Sequence, residues 1–399
     1  MELAEGRAKI AFFLPTIAMS HQLHIISFNI PYPPDYGGVM DVFYKIKALF
    51  DLGIKINLHC FEYGRKEAEV LNQLCDNVYY YKREHSFRDF TSSTPYIVKT
   101  RKSSELLNNL TGDDAPILFE GLHTCYYLDH DDLKHRTKAV RMHNVEWDYY
   151  RHLSKNESSM IRRFYFFTES IKLKNFEKIL SSANHLLPIS RNDYEYLNKK
   201  FDNVMYMPAF HPNEDVLSLG GKGEYILYHG NLAVVENNQA ALFLVSKIFN
   251  DLNLKLIIAG SEPSTMLVNA VKNSTNVEFR IDGGEVEMMR LIRNAHINLL
   301  PTFQNTGTKL KLLNALFNGR FVVVNTPMIE NTGLENLCII RDTTEEIKQA
   351  LQQFMSVPFE LGEAEKRRHV MAELYSNKKN AGKLMSLFFN VSQINQAVS

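Results

Sequence analysis

The chain has 399 residues, which suits two α/β domains better than one, because single cores stop growing at about 250–300 residues. Lys plus Arg and Asp plus Glu number 45 each, so net charge gives no ground for nucleic-acid binding, and any basic surface must be local. Cys60, Cys75, Cys125 and Cys338 lack the close spacing of a zinc site or redox pair and read as reduced thiols of a cytoplasmic protein, and no run reaches the ~20 apolar residues of a membrane span.

Residues 1–20 read as a loose leader. The run from Ile10 to Met19 follows Arg7 and Lys9 as in a signal peptide. Against export, Glu2 and Glu5 occupy the place of the basic segment, and no small-x-small cleavage site is clear. From Leu23 onward, short apolar β-type runs alternate with amphipathic helical patterns, which predicts parallel sheets with right-handed crossovers. Strands are expected at 23–28, 54–60, 116–120, 139–142 and 185–189, and again at 225–228, 254–259, 277–281, 297–300 and 321–325. Unbroken runs such as Leu256-Ile257-Ile258-Ala259 indicate strands covered on both faces. Helices are expected at 39–52, 237–249, 285–294 and 308–317, the first ending at Gly53 and the last at Asn318-Gly319. A final helix at 381–389 is expected to cross back onto the first domain.

The segment 207–223 holds Pro208, Pro212 and Gly220-Gly221-Lys222-Gly223 and fits neither period, so it reads as a linker. The expected division is therefore 1–206, the linker 207–223, a second domain at 224–375 and a returning segment at 376–399. Gly-Gly-Lys-Gly is not a phosphate loop, since it lacks the upstream glycine and the following Ser/Thr.

Three constellations could carry chemistry. Between the first strand and helix, Asn29 to Asp35 forms a proline-stiffened loop that ends at Tyr36-Gly37-Gly38. Glycines there would let an anion approach the amides of a helix N-terminus, although a tight turn would use the same residues. Second, Arg141-Met142-His143-Asn144-Val145-Glu146 closes a strand, and ligands of open α/β sheets gather at strand carboxyl ends. His143 could bond a sugar hydroxyl there or be a satisfied structural histidine; with Glu146 it has no third metal ligand in view. Third, in Asn305 to Val324 a glycine, Gly307, opens a helix whose first turn carries Lys309 and Lys311. Lysines are unfavourable near a helix N-terminus, so their presence points to an anion such as a diphosphate, the alternative being a solvated helix start.

Two further signals are weaker. Asp129-His130-Asp131 has the Asp-x-Asp form of a metal and sugar-nucleotide site, but its charged surroundings read as a solvated loop. The basic, aromatic segment 151–178, with Arg162-Arg163-Phe164-Tyr165-Phe166-Phe167, reads either as an amphipathic helix touching the anionic inner membrane or as an ordinary helix with its aromatics in the core.

In this order the motifs resemble the GT-B glycosyltransferases of the retaining family-4 kind (glycosyl transferases group 1), especially those of bacterial surface-polysaccharide assembly. The resemblance runs from Gly37-Gly38 through Arg141 to Glu146, Pro188-Ile189-Ser190, Tyr228-His229-Gly230-Asn231-Leu232 and Glu236-Asn237-Asn238 to the segment from Gly307 to Val324. It implies an α/β fold of two Rossmann-like domains facing across a cleft, and nucleotide-sugar-dependent hexosyl transfer to a glycan or lipid-linked acceptor. The donor would be UDP- or GDP-linked, with no cofactor and no metal.

By this resemblance Gly37 and Gly38 would lie near the donor phosphates or the acceptor, and His143 would contact the transferred sugar. Gly307 and Thr308 would offer backbone donors to the diphosphate, joined by Lys309 and Lys311. Family members commonly carry glutamates where Thr306 and Asn314 stand, an Arg at Asn231 and a Lys near Asn237; all four positions are neutral here. Those replacements keep a catalytically degenerate GT-B scaffold open as a second reading, and the shared two-domain architecture keeps a UDP-sugar epimerase open as a third.

Overall fold

The computed structural model describes residues 21–86, 90–280, 284–303 and 309–389. Twelve strands form two six-stranded parallel sheets. The first contains β1 (Gln22–Ser27), β2 (Lys55–Glu62), β3 (Asn77–Lys82), β4 (Ile117–Glu120), β5 (Lys138–Met142) and β6 (His185–Pro188), in the order β3-β2-β1-β4-β5-β6. The second contains β7 (Ile226–His229), β8 (Leu256–Ala259), β9 (Val277–Arg280), β10 (Ile297–Leu299), β11 (Phe321–Val324) and β12 (Ile339–Ile340), in the order β12-β11-β10-β7-β8-β9. Numbered within its own sheet, each runs 3-2-1-4-5-6, the doubly wound order in which strand direction of travel reverses beside the first strand.

Successive residues of a strand point to opposite faces, and the first sheet uses both. Ile25, Leu58, Leu118, Ala139 and Leu187 pack on one side with Val42, Ile46 and Leu49 of the helix Gly37–Asp51. Ile26, Phe61, Phe119, Val140 and Leu186 pack on the other with Leu106, Leu110 and Leu173. Ala381, Leu384 and Met385 of the helix Asn377–Phe388 complete the first of these layers, so the end of the chain lies on the amino-terminal sheet. That helix starts four residues earlier than the expected 381, with Ser376 capping it through the Lys379 amide.

Several other expectations are corrected. The helix after β1 begins at Gly37, not Val39, so the glycine pair lies inside its first turn. The pattern at 237–249 is the helix Val235–Phe243 running on as wider turns over Leu244–Ile248. The helix expected at 308–317 is Leu310–Asn318, with Lys309 as its N-cap. Residues 207–223 contain no helix or strand, but Met207, Ala209, Phe210 and His211 are buried. The start of the linker is thus packed against the first domain, and Val216 further on joins the core of the second. Residues 1–20 and the end of the strand expected at 277–281 lie outside the described residues.

Candidate functional site in the interdomain cleft

Parallel register brings the carboxyl ends of β4 and β5 together, with Glu120 beside Arg141. The helix Gly37–Asp51 crosses behind them and contributes Asp41 and Lys45 one turn apart. All four charged side chains are fully buried. Lys45 Nζ donates to Glu120 Oε1 (2.6 Å) and Asp41 Oδ2 (2.9 Å), while Arg141 Nε and Nη2 donate to Asp41 Oδ2 (3.0 Å) and Oδ1 (2.7 Å). Burial alone would raise both carboxyls. The Arg141 and Lys45 charges outweigh it at Asp41, and Lys45 with His143 at Glu120, so both stay below the usual carboxylate range.

His143 joins this cluster one residue beyond β5. Its Nε2 lies 2.9 Å from Glu120 Oε2, and its ring is 6 % exposed. Since an ionised carboxylate only accepts, Nε2 carries a proton here. Its Nδ1 is buried and has no hydrogen-bond partner among the described residues. Ligand atoms of Asp41, Glu120 and His143 lie within 4.8 Å of one another, a spacing that a metal could use. The donor set does not fit a divalent cation, because Lys45 and Arg141 already place two positive charges on its carboxylates.

The glycine pair sets the approach of the two domains. A Cβ on Gly38 would lie 2.8 Å from Phe28 Cζ, and one on Gly37 would lie 3.7 Å from Leu310 Cδ1 of the second domain. Phe28 in turn meets the His143 ring edge-on at 5.3 Å. Gly38, Phe28 and His143 thus follow one another within the first domain, and Gly37 beside them meets the start of the helix Leu310–Asn318.

In the second domain, Asn231, Asn237, Lys311 and Tyr228 are joined at the carboxyl end of β7. Asn237 Nδ2 donates to the Asn231 carbonyl (2.9 Å), Lys311 Nζ donates to Asn237 Oδ1 (2.8 Å), and Tyr228 donates to the Asn237 carbonyl (2.9 Å). Lys311 also stands 5.4 Å over the Tyr228 ring. Burial, and then the neighbouring Lys309 charge, pulls the Lys311 ammonium down to about 8; burial does the same to Lys309. His229, just below, is held neutral at about 3 by burial and by Lys311, and its Nε2 has no partner. Gly260 is required here, because a Cβ would fall 2.0 Å from the Gly230 carbonyl oxygen.

Lys309 lines a cavity shared by the domains, with Ser190, Arg191 and Asn192 on one side and Asn331 and Thr332 on the other. Asn331 Nδ2 donates to Asn192 Oδ1 across it at 2.7 Å. Asn314 is placed differently: its Oδ1 accepts from Asn213 Nδ2 (2.8 Å), and Asn318 Nδ2 donates to Asn213 Oδ1 (2.7 Å). That residue is thus tied to the connecting segment. Thr306, Gly307 and Thr308 lie outside the described residues. Asp129 and Asp131 are exposed, in keeping with a solvated loop. Sequence reasoning missed Asp41, Lys45 and Glu120; the only local signal was the i, i+4 spacing of Asp41 and Lys45.

Two doubly wound domains with a basic helix start opposite a histidine-bearing sheet edge define a protein of the GT-B class. The chain aligns with a glycosyltransferase from Rickettsia africae at a TM-score of 0.60 and 11 % identity, covering 95 % of this chain and 99 % of that one. With TarM, a protein of S. aureus, the TM-score is 0.64 at 11 % identity, covering 94 % and 100 %. Residues 223–356, in the second domain, match the family model Glycosyl transferases group 1. A protein described as an uncharacterized 44.6 kDa protein in the cps region of Klebsiella pneumoniae is 28 % identical over 341 residues, 80 % of this chain and 87 % of that protein.

Proposed function

We propose that this chain transfers a sugar from a UDP- or GDP-linked donor to a glycan or lipid-linked acceptor, with retention, in the synthesis of a cell-surface polysaccharide. The observation that carries this reading is the pair of half-buried lysines, Lys309 and Lys311, at the start of a helix that meets Gly37 of the first domain. Two ammonium groups depressed to about 8 by burial form a site that gains most from a doubly charged anion. A departing nucleoside diphosphate is such an anion, and helix amides with two lysines stabilise its charge without a metal. The cps-region relative supports the polysaccharide context. The test is donor hydrolysis and transfer with UDP- and GDP-sugars, alongside Lys311→Ala. Turnover undiminished in that variant removes the phosphate-site assignment, and binding without turnover in the wild type favours the scaffold reading.

A surface feature supports a lipid-linked acceptor. The helix Met160–Phe176 packs on Glu146–Asn156 and leaves Met160, Ile161, Phe164, Phe167 and Ile171 exposed. Arg151, Lys155, Arg162 and Arg163 flank this ridge, whereas Glu169 and Glu177 are buried. An apolar ridge among cations matches the headgroup region of an anionic bilayer. No described helix is long and apolar enough to cross a membrane. Cosedimentation with phosphatidylglycerol vesicles but not phosphatidylcholine vesicles, lost in Ile161→Ser/Phe164→Ser, is the expected result. Equal recovery with both vesicle types overturns the contact.

A further inference from the structure

Beside His143 lies a second group of polar side chains that the donor site does not use. After β4 the chain turns at Gly121 (φ 79°) into the short turn Leu122–Tyr127, which carries His123. After β5 it enters the helix Glu146–Asn156, whose first residue is Glu146. His123 Nε2 lies 3.5 Å from Glu146 Oε2. The Phe28 ring sits between the two histidines, 5.7 Å from His123 and 5.3 Å from His143. A Cβ on Gly121 would fall 2.9 Å from His123 Nδ1 and 3.8 Å from His143 Cδ2, so the glycine is what lets the two rings close on one spot.

His123 Nδ1, Glu146 Oε1 and His143 Nδ1 are each buried and each without a hydrogen-bond partner among the described residues. Buried polar atoms are paired in the great majority of cases, because an unpaired one forfeits its hydration without return. Three such atoms on residues grouped beside one aromatic ring are what a polar, uncharged ligand would satisfy. The electrostatics agree. Burial, and secondarily the Asp193 charge, lifts the Glu146 carboxyl to about 8, and burial, then the Arg101 charge, keeps His123 well below 6.5. Near neutral pH the spot therefore holds a protonated acid and a neutral imidazole, which can donate to and accept from hydroxyls without attracting a charge. The Phe28 face gives a sugar ring its apolar side something to lie on.

We propose that His123, Glu146 and the Nδ1 edge of His143 bind the hydroxyl groups of a sugar ring against Phe28. This deepens the transferase reading and rests on it for the ring's place in the reaction. Either the transferred sugar of the donor or the terminal sugar of the acceptor supplies such a ring.

The experiment titrates the full-length protein with methyl glycosides of glucose, galactose and mannose, read by saturation-transfer NMR. UDP, UDP-glucose and UDP-galactose are titrated by calorimetry. Wild type, His123→Phe, Glu146→Leu and Glu146→Gln are compared. A glycoside is expected to bind the wild type and to weaken about tenfold or more in His123→Phe and Glu146→Leu, the usual effect of losing buried hydrogen bonds. Glu146→Gln, a neutral group of the same shape, is expected to weaken it far less than Glu146→Leu. Loss of the UDP-sugar's advantage over UDP in the same variants assigns the ring to the donor; unchanged UDP-sugar affinity assigns it to the acceptor. No glycoside binding by wild type, equal binding by all four proteins, or a Gln variant as weak as Leu overturns the proposal. Glycoside binding that responds to these substitutions in a protein that binds no UDP keeps the subsite and removes the donor reading.

Discussion

Replacing Lys311 by methionine separates what the lysine does for the fold from what it does for a ligand. Its ammonium is drawn down from 10.5 to about 8, chiefly by burial. That difference corresponds to a penalty on the charged form of about 3 kcal/mol. Methionine keeps the chain length over the Tyr228 ring and removes the penalty, at the cost of the bond to Asn237 Oδ1, worth about 1–2 kcal/mol. The ligand-free variant is therefore expected to be more stable by about 1–2 kcal/mol.

Diphosphate affinity moves the other way. A lost charge-assisted hydrogen bond of about 1.5–3 kcal/mol weakens UDP by about 10- to 150-fold. Thermal unfolding with and without UDP, beside calorimetric titration, reads both effects. pH supplies a sign check. With the folded-state value depressed, the unfolded chain binds more protons between about 8 and 10.5, so this group makes wild-type stability rise with pH across that window. UDP binding must then recharge the lysine, so affinity falls by about tenfold per lysine from pH 7 to pH 9. A methionine variant that is less stable without ligand and binds UDP as tightly as wild type refutes the argument.

Asp41→Ala is expected to cost about 3–5 kcal/mol, because it strands Lys45 and Arg141 in the core and frees the Phe210 amide, with a fall in the thermal midpoint as the readout. Asp41 and Glu120 are both depressed, so the stability they contribute is present above the unfolded carboxylate range and is lost as pH falls through their folded values; acid unfolding of wild type should begin below about pH 4, measured by circular dichroism. Gly260→Ala sets a Cβ 2.0 Å from the Gly230 carbonyl oxygen and should yield little folded protein, whereas Gly221→Ala, with open space around it, should lose only about 1 kcal/mol to its left-handed backbone. Gly38→Ala presses on the Phe28 ring that rests against His143, so its expected signature is a lower kcat/KM with a near-wild-type melting curve.

Most of the fold was legible because buried parallel strands print unbroken apolar runs. The two strands without an expectation, β3 and β12, each lie at one edge of a sheet. In Asn77–Lys82 only Tyr81 is buried, while Val78, Tyr79 and Tyr80 are half-buried, and Ile339–Ile340 is two residues long. Neither sustains a run that sequence can register. The site was legible where one short segment carries it, as with His143 at the end of β5 and Lys309 with Lys311 at a helix start. Glu120 and Asp41 were not, since their partners stand 75 and 100 residues away and only parallel register unites them. Asn314 shows the converse. Its spacing from Lys311 was plain, but the hydrogen bond to Asn213, 101 residues distant, belongs to the tertiary structure alone.

The chain passes between its two domains twice, and the crossings are stitched to each other. His211 Nε2 meets the Tyr375 carbonyl at 2.7 Å, and Asn377 Nδ2 donates to the His211 carbonyl at 2.7 Å. Just before the first crossing, Arg141 grips the carbonyls of Met207 and Pro208; just after it, Asn213 is held by Asn314 and Asn318. Two strands of backbone pinned side by side define one pivot line, so the lobes can swing like a door but cannot slide or twist freely. The fastening on the sheet that bears His143 is the same arginine and aspartate that anchor its neighbours, so the swing of the door and the aim of that histidine share a single frame.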